Sequence, residues 1–369
     1  MNVVVMGVGY CGSFPTSTGL SYRELIQRAA TMAYQDAGVS PEEVDGAVSV
    51  EEDFVSGYSI ADEYVPDQLG MVRKPVYTIP GDFLHGLSSA VMQLKTGEFK
   101  TVVVQTYSKA SNILTKDEVL TFAYDPVFGR LGVSPHYLAG IEMQHFLDCS
   151  HYDAADVAEV VVRNKANAVG NPMAPYSGHM SVEDILMGRP VASPITEPMI
   201  ARHADAAFCV VLGVGDDAIQ RSGSPVLITG TGWGSGNSIL ERRDHAFSAG
   251  TAIAGKMALD EAGIDVPEDD VDLFYVSDLY AHRQLMHLDA LGLPEKVFPY
   301  VNVDGGAQGS GDLFEATSAP RFYDAVKQLR GEAGAHQYAD VETALVHGWR
   351  GLPTDSCAVV VLEGQGGAE

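Results

Sequence analysis

An internal duplication is the feature of this sequence that most limits its fold. The apolar strand pattern VVVMGVG at residues 3–9 returns as VLITGTG at 226–232. Each copy is followed by a helical pattern, an Ala-Gly pair, an acid-rich turn and another apolar strand, at 28–53 and 253–280. Alternating helices and near-continuous apolar strands are typical of α/β units whose sheet is buried on both faces. The chain is therefore predicted to be α/β, with two similar halves.

The halves are predicted to span residues 1–220 and 221–369, because the similar patterns DAAFCVVLGVG and DSCAVVVLEGQG close them. Between about 110 and 200, the first half carries a segment that has no counterpart in the second. It reads as two helices followed by Pro- and Gly-rich loops. We expect this insertion to form a separate cap over one end of the sheets, where a substrate is commonly enclosed.

The charge of the chain argues against one large class of partners. The net charge is −26, from 23 Lys plus Arg against 49 Asp plus Glu, and the sequence contains no basic patch. Nucleic acid is therefore not an expected partner. No apolar run is long enough to span a bilayer and no signal-peptide pattern is visible, so we expect a cytoplasmic protein without a membrane partner. A high-salt host would also explain the acidic composition.

The four cysteines, Cys11, Cys149, Cys209 and Cys357, lack the CxxC spacing of metal sites. Cys209 and Cys357 lie in apolar strand patterns, where buried and inert thiols are expected. We therefore expect neither a bound metal nor a disulfide framework. A reducing compartment fits all four cysteines.

The segment TIPGDFLHGLSSAV at 78–91 reads as a strand, a tight glycine turn and the start of a helix. Such turns often carry a nucleophile, because exposed N–H groups and the helix dipole stabilise an anion. This turn has no cysteine and offers Asp82 and His85 instead. Asp82 is predicted to cap the helix, whereas His85 either packs against a neighbouring loop or takes part in catalysis.

Three further segments carry a family resemblance: SVEDILMGRPVASPIT at 181–196, LDALGLPEK at 288–296 and VNVDGGAQGSGDLFEATS at 301–318. Together with the duplication, their order and spacing resemble the thiolase superfamily, in the branch of the sterol-carrier-protein-x and archaeal acetoacetyl-CoA thiolases. The resemblance covers nearly the whole chain. It implies a thiolase-like fold of five layers, αβαβα, in which the insertion is the loop domain.

The catalytic positions of that family are not kept. Its acyl-accepting cysteine falls on or near Pro80, and no cysteine lies close. Its Gly-His-Pro histidine aligns with Asp312, its oxyanion-site His or Asn with Ser277, and its late Cys or His with His347. Without a thiolate there is no acyl-enzyme, so the ordinary thiolase mechanism is expected to be absent.

Asp312 and His347 are the first candidates for a replacement chemistry. Asp312 lies in a Gly-rich loop at a helix start, where it would serve as a cap or, with a pKa raised by burial, as a base. His347 closes an apolar strand, and we expect it either at the cleft or as a hydrogen-bonded structural histidine. We predict that both side chains face one pocket, reached by a pantetheine-length channel beneath the insertion.

The remaining candidates also lie at the ends of predicted strands. Ser277, Asp278 and Tyr280 follow a buried strand and could face the cleft, although an Asp there could instead cap a turn. Gly305 and Gly306 are expected to allow close backbone approach, either to a substrate or to the other half. The resemblance implies a coenzyme A thioester as substrate and no covalently bound cofactor.

Three functions fit these observations. The first is aldolase or retro-aldolase chemistry on acyl-CoA, as in thiolase relatives that lack the nucleophile, cleave steroid side chains and act with a small OB-fold, zinc-ribbon partner. It needs a base on the β-hydroxyl, which Asp312 or His347 could supply, and a stabilised thioester enolate. The second is a catalytically silent subunit of an acyl-CoA complex. The third is an acyltransferase or thiolase with a displaced nucleophile.

The resemblance also implies a homodimer, alone or as the core of a heteromeric complex. Thiolase-like halves pair through a sheet edge beside the first active-site helix. The apolar run TVVVQTY at 101–107 would otherwise leave an exposed edge that invites aggregation.

Overall fold

A computed structural model describes residues 2–52, 61–113, 116–237 and 239–364. The strands are β1 (Val3–Phe14), β2 (Gly46–Val50), β3 (Val76–Ile79), β4 (Thr101–Lys109), β5 (Pro190–Ala192), β6 (Ile195–Thr196), β7 (Asp205–Val214), β8 (Val226–Ser235), β9 (Leu273–Tyr275), β10 (Thr343–Trp349) and β11 (Ser356–Gly364). The α-helices are α1 (Tyr22–Ala37), α2 (Ala61–Tyr64), α3 (Pro66–Leu69), α4 (Phe83–Thr96), α5 (Lys116–Leu120), α6 (Pro135–Cys149), α7 (Ala154–Asn167), α8 (Val182–Leu186), α9 (Asp216–Arg221), α10 (Ala249–Ala262), α11 (Pro267–Asp270), α12 (Ala281–Ala290), α13 (Gly306–Ser310) and α14 (Ala319–Leu329). In these ranges, no helix has both the length and the apolar character needed to cross a membrane.

All strands except β5 and β6 form one continuous sheet, in the order β3-β2-β4-β7-β1-β8-β11-β10-β9. The first strands of the two repeats, β1 and β8, pair antiparallel at the centre, with Val3 opposite Ile228. The order is mirrored about this pair, since β2, β4 and β7 on one side correspond to β9, β10 and β11 on the other. The predicted duplication is therefore confirmed, with its repeats as equivalent central strands.

Helices cover this sheet on the outside and fill the space between its halves. Helix α1 packs on the outer face of the first half, and α10 packs on the outer face of the second. Helices α4 and α14 lie together between the halves, where the rings of Phe83 and Phe322 are 5.4 Å apart. With the two halves of the sheet counted as separate layers, the order is helix, sheet, helix, sheet, helix. This order confirms the predicted five-layer αβαβα fold.

Matching glycines allow the outer helices to approach the central strands closely. A Cβ atom built at Gly9 would overlap the carbonyl oxygen of Ala29 in α1. One built at Gly232 would overlap the carbonyl oxygen of Ala254 in α10. The Gly-x-Gly pattern shared by the two repeats therefore has the same packing cause in both halves.

The insertion lies between β4 and β7 and packs on the second half. Its helices α6 and α7 contact α12 and share a hydrophobic core with it. Glu142 of α6 and Arg283 of α12 form a buried ion pair, and the Arg283 guanidinium lies 4.2 Å from the centre of the Trp349 ring. The insertion is thus joined to the second half's core rather than forming the separate cap that we expected. The domain boundary near residue 220 stays a prediction.

The run TVVVQTY is not at a sheet edge. It forms most of β4, which pairs with β2 on one side and β7 on the other. The prediction that this run exposes an edge is wrong, because apolar strands buried on both faces are also the interior strands of a sheet. Among the described strands, the edges of the large sheet are β3 and β9.

Candidate active site

Three adjoining cavities form a cleft beside the loops that follow α13 and β10. Their volumes are about 290, 220 and 50 Å³, and Arg350 borders all three. Leu120, Phe314 and Leu352 separate the largest cavity from the smallest. Leu120 belongs to the insertion, so the cleft is built where the insertion meets the second half.

The smallest cavity is bordered by a carboxylate–imidazole pair. The Oδ2 atom of Asp312 lies 3.3 Å from Nδ1 of His203, which is an ion-pair distance without the alignment of a hydrogen bond, and the side chains are 17% and 23% exposed. A backbone bridge fixes this contact, because the Asp312 N–H donates to the carbonyl of Arg202 and the Ala204 N–H donates to the carbonyl of Asp312. The ring of Phe314 stacks on the His203 ring at 4.9 Å and limits its rotation.

Asp312 also serves as a turn cap. Its Oδ1 accepts hydrogen bonds from the Phe314 N–H at 2.9 Å and the Thr317 hydroxyl at 3.2 Å. One carboxylate oxygen therefore holds the turn while the other faces His203. The two roles predicted for Asp312, cap and proton acceptor, are geometrically compatible.

A second pair of proton-carrying groups borders the same cavity. The Tyr280 hydroxyl lies 2.9 Å from Nδ1 of His136, and both residues line the wall. Tyr280 immediately precedes α12, while His136 lies in the first turn of α6. The cleft thus combines a carboxylate, two imidazoles and a phenol, which are groups suited to general acid–base chemistry.

His347 lies outside this cleft. It is completely buried in β10, where its side chain points to the same face as Leu345 and Trp349, toward the outer helices. Burial holds its pKa well below the usual range. The prediction that Asp312 and His347 face one pocket is wrong, because the alternation of side chains along β10 turns His347 away.

The surroundings of His347 look like a metal site but do not suit one. His287, His347 and Cys357 present donor atoms within 4.8 Å of one another. The Thr251 hydroxyl lies among them, 2.8 Å from His287 Nδ1 and 3.1 Å from His347 Nε2. Nδ1 of His347 accepts the Ser277 N–H, so in the neutral ring Nε2 carries the proton and has no lone pair for a metal. The cluster is a hydrogen-bonded core.

Asp278 and Ser277 are also fully buried. The Asp278 carboxylate pairs with Arg321 at 3.1 Å and accepts the N–H groups of Ala307 and Gln308. It therefore anchors the start of α13, although burial raises its pKa. Asp278 therefore caps a turn, which was one of the two roles expected for it, and does not face the cleft.

Gly305 and Gly306 are packed against protein rather than against a cavity. Both have positive φ angles, 100° and 58°. A Cβ atom at Gly305 would overlap Ala168 of the insertion, and one at Gly306 would overlap the Asp278 carboxylate. Gly305 therefore approaches the other half, as one of the two alternatives expected, whereas Gly306 approaches its own half.

The turn at residues 80–82 carries no exposed catalytic group. Asp82 caps α4 as predicted, by accepting the Leu84 N–H, and it also accepts the Ser318 N–H and hydroxyl. The His85 ring lies 3.2 Å from the Ser356 hydroxyl, and burial lowers its pKa to about 4. His85 is thus packed, as one of the two alternatives expected, but against the start of β11 rather than against a loop.

The four cysteines do not provide a substitute nucleophile at the cleft. Cys11, Cys209 and Cys357 are buried, and burial raises the pKa of Cys357 to about 12. Cys149 is exposed at the end of α6 and does not line the cleft.

Sequence reasoning missed the residues that complete the cleft: His203, His136, Arg350, Glu52 and Glu315. His203 lies at the end of the insertion, and its contact with Asp312 has no local signature. Arg350 had a usable signal, since it follows the apolar pattern of β10 as the first charged residue beyond the strand.

Comparison with known proteins confirms the resemblance to the thiolase superfamily. Residues 298–363 match the family described as thiolase C-terminal domain-like. The chain is 26% identical to the acetyl-CoA acetyltransferase of Methanothermobacter thermautotrophicus over 372 residues, covering 94% of this chain and 95% of that protein. It is 23% identical to sterol carrier protein 2 of Rattus norvegicus over 311 residues, covering 75% of this chain and 53% of that protein.

The fold is likewise that of solved thiolase-like structures. A structure described as Ltp2-ChsH2(DUF35) aldolase superposes with a TM-score of 0.83 at 20% identity, covering 98% of this chain and 97% of that one. At this identity the likeness concerns the fold alone.

Proposed function

From this thiolase-like fold, we propose that the protein makes or breaks a carbon–carbon bond in an acyl-CoA without a covalent enzyme intermediate. The reaction that fits best is retro-aldol cleavage of a β-hydroxyacyl-CoA, or its reverse. The observation that carries this proposal is the Asp312–His203 pair at the cleft. The similarity of the chain to an acetyl-CoA acetyltransferase supports a coenzyme A thioester as substrate. The proposed reaction needs no covalently bound cofactor.

His203 is the proposed base. A carboxylate beside Nδ1 favours the tautomer with its proton on that nitrogen, which leaves Nε2 to accept the β-hydroxyl proton. As that proton leaves, the carbon–carbon bond breaks and its electron pair passes into the thioester enolate. Asp312 stabilises the imidazolium that forms, so this step needs no cysteine.

The Tyr280–His136 pair is the proposed second element. A phenol hydrogen-bonded to imidazole can donate to a carbonyl oxygen as charge develops on it. Since both pairs border one cavity, a substrate held there would meet a base and a donor together. We assign no catalytic step to His347, Asp278, Ser277 or His85, and no substrate contact to Gly305 or Gly306.

The catalytically silent subunit remains a second candidate, and one observation favours it. The cavity at Asp312 is only about 50 Å³, which is smaller than an acyl group needs. An enzyme would therefore require the cleft to widen when a substrate or a partner binds. A displaced cysteine nucleophile has no support among the described residues.

We also propose an OB-fold, zinc-ribbon partner around a homodimeric core. The support is the two-component description of the structural relative, Ltp2-ChsH2(DUF35) aldolase, together with its similarity in fold. Binding of such a partner is one way in which the cleft could widen.

The test is an assay of the complex co-purified from the native host. The probes are 3-hydroxybutanoyl-CoA and 3-hydroxy-3-methylbutanoyl-CoA, whose cleavage would release acetyl-CoA with acetaldehyde or acetone. The proposal expects the wild-type complex to release these products, and Asp312→Asn to slow release by about 10²–10⁴-fold without loss of folding or co-purification. Absence of cleavage by the wild-type complex, with every partner present, would support the silent subunit.

A further inference from the structure

Glu315 occupies an unusual place in the cleft. It lies in the one-turn helix Phe314–Ala316 and borders the largest of the cleft's three cavities, of about 290 Å³, yet only 8% of its surface is exposed. Asp312 begins the same turn, and Phe314 stands between them with its ring against His203. Glu315 therefore borders the same cleft as the proposed base, in the next cavity.

The surroundings of the Glu315 carboxyl favour its neutral form. One oxygen accepts the Glu52 N–H at 2.7 Å, a contact that by itself favours the carboxylate, but burial outweighs it. Among the described residues, the carboxylates that act on it are Glu52, which pairs with Arg350, and Glu51, which lies 2.6 Å from the Ser49 hydroxyl. Burial first, and then these two carboxylates, raise the pKa of Glu315 well above its ordinary value. A glutamic acid with a raised pKa keeps its proton closer to neutral pH, so at a cavity wall it can donate that proton to a bound substrate.

We propose that Glu315 is a catalytic acid that protonates the α-carbon of the thioester enolate. This assignment rests on the proposed function of the cleft. The enolate left by carbon–carbon cleavage takes the Glu315 proton, so that a carbon–hydrogen bond forms and the carboxyl becomes a carboxylate. The proton taken from the β-hydroxyl by His203 passes to solvent, and solvent returns one to Glu315, which balances the cycle.

The reverse of that step can be measured without the cleavage reaction. Glu315, as a carboxylate, would remove an α-proton from a product acyl-CoA and return a deuteron in deuterated water. The experiment incubates the co-purified complex with propanoyl-CoA in D₂O and follows α-deuterium by mass spectrometry. The wild-type complex is expected to exchange, and Glu315→Gln is expected to slow exchange at least about 100-fold.

The choice of Gln separates catalysis from structure. Gln is uncharged and nearly isosteric with the neutral acid, so the variant should keep its melting temperature and its affinity for propanoyl-CoA. It can donate a hydrogen bond but cannot transfer a proton. Glu98→Gln, at an exposed position outside the cleft, is the matched control and should exchange at the wild-type rate.

Exchange by Glu315→Gln at the wild-type rate would overturn this assignment, and so would the absence of exchange in the wild-type complex. A different result would count against the proposed function instead. If the wild-type complex exchanges α-protons through Glu315 but cleaves no β-hydroxyacyl-CoA, the aldolase proposal fails, while Glu315 still acts as an acid–base group on the α-carbon of an acyl-CoA.

Discussion

The carboxylate of Asp312 and the imidazole of His203 meet at 3.3 Å, held by a backbone bridge between their two segments. His203 follows the insertion and precedes β7, whereas Asp312 follows α13 in the second half. The pair therefore joins the segment that follows the insertion to the second half. The buried Glu142–Arg283 ion pair is another contact between the insertion and the second half.

Replacement of Gly232 by Ala should destabilise the fold. The added Cβ would overlap the Ala254 carbonyl oxygen, so α10 would have to move away from β8. A backbone shift of this kind costs about 1–3 kcal/mol in the free energy of unfolding. Urea unfolding measures it, with Gly178→Ala as the control, since a Cβ at Gly178 has no neighbour within 4 Å. Equal unfolding midpoints for the two variants would contradict the packing account.

The repeats could be read from the sequence because their packing demands are local. Glycines two residues apart, small helical residues and apolar strands occur in both halves, and each has the same physical cause in both. The site could not be read in this way. His203 and Asp312 are brought together by a backbone bridge between distant segments. The sequence around either residue does not indicate that it contacts the other.

The error over His347 has a different origin. The end of an apolar strand suggested a cleft position, but side chains alternate along a strand. Leu345, His347 and Trp349 share one face, and that face is core. Ala344 and Val346 on the other face are also apolar and buried, so the sequence alone could not tell which way His347 points.

Asp82 should make the stability of the protein fall as the pH rises from about 4 to about 6. Burial raises its pKa from 3.8 to about 6, so the folded chain keeps a proton that the unfolded chain releases. The stabilisation is complete below the unfolded pKa and is lost as the pH rises through the folded one.

The Asn side chain of Asp82→Asn does not ionise. The free energy of unfolding of this variant, relative to wild type, should therefore rise by about 1–3 kcal/mol as the pH rises over that interval. Urea unfolding at pH 4, 5, 6 and 7 measures the difference, with the exposed Asp217→Asn as control. Parallel curves for Asp82→Asn and wild type would show that this carboxyl is not the group responsible.

The protein should show no thiolase chemistry. Three of its cysteines are buried and the fourth lies away from the cleft, so no thiolate is placed to accept an acyl group. We expect no thiolysis of acetoacetyl-CoA and no acylated cysteine after incubation with an acylating analogue, as judged by mass spectrometry of the intact protein. A stable acyl adduct on any cysteine would revive the displaced-nucleophile hypothesis.

The protein should be a dimer or larger in solution. The structure moves the expected contact from β4 to β3, an edge strand of the described sheet whose residues are only half-buried. Pairing of the β3 strands of two chains would cover the β3 edge of each chain. Sedimentation velocity at micromolar concentration should give a mass of at least two chains, and a stable monomer would contradict this.

The central claim is that Asp312 and His203 act as one unit in carbon–carbon cleavage. Its most direct test is a double-mutant cycle on the co-purified complex, with Asp312→Asn, His203→Gln and both together, and acetone release from 3-hydroxy-3-methylbutanoyl-CoA as the readout. Each single variant should lose about 10²–10⁴-fold in kcat/KM, and the double variant should lose no more than the worse single. Cleavage at the wild-type rate by either single variant, or losses that multiply in the double variant, would contradict the claim.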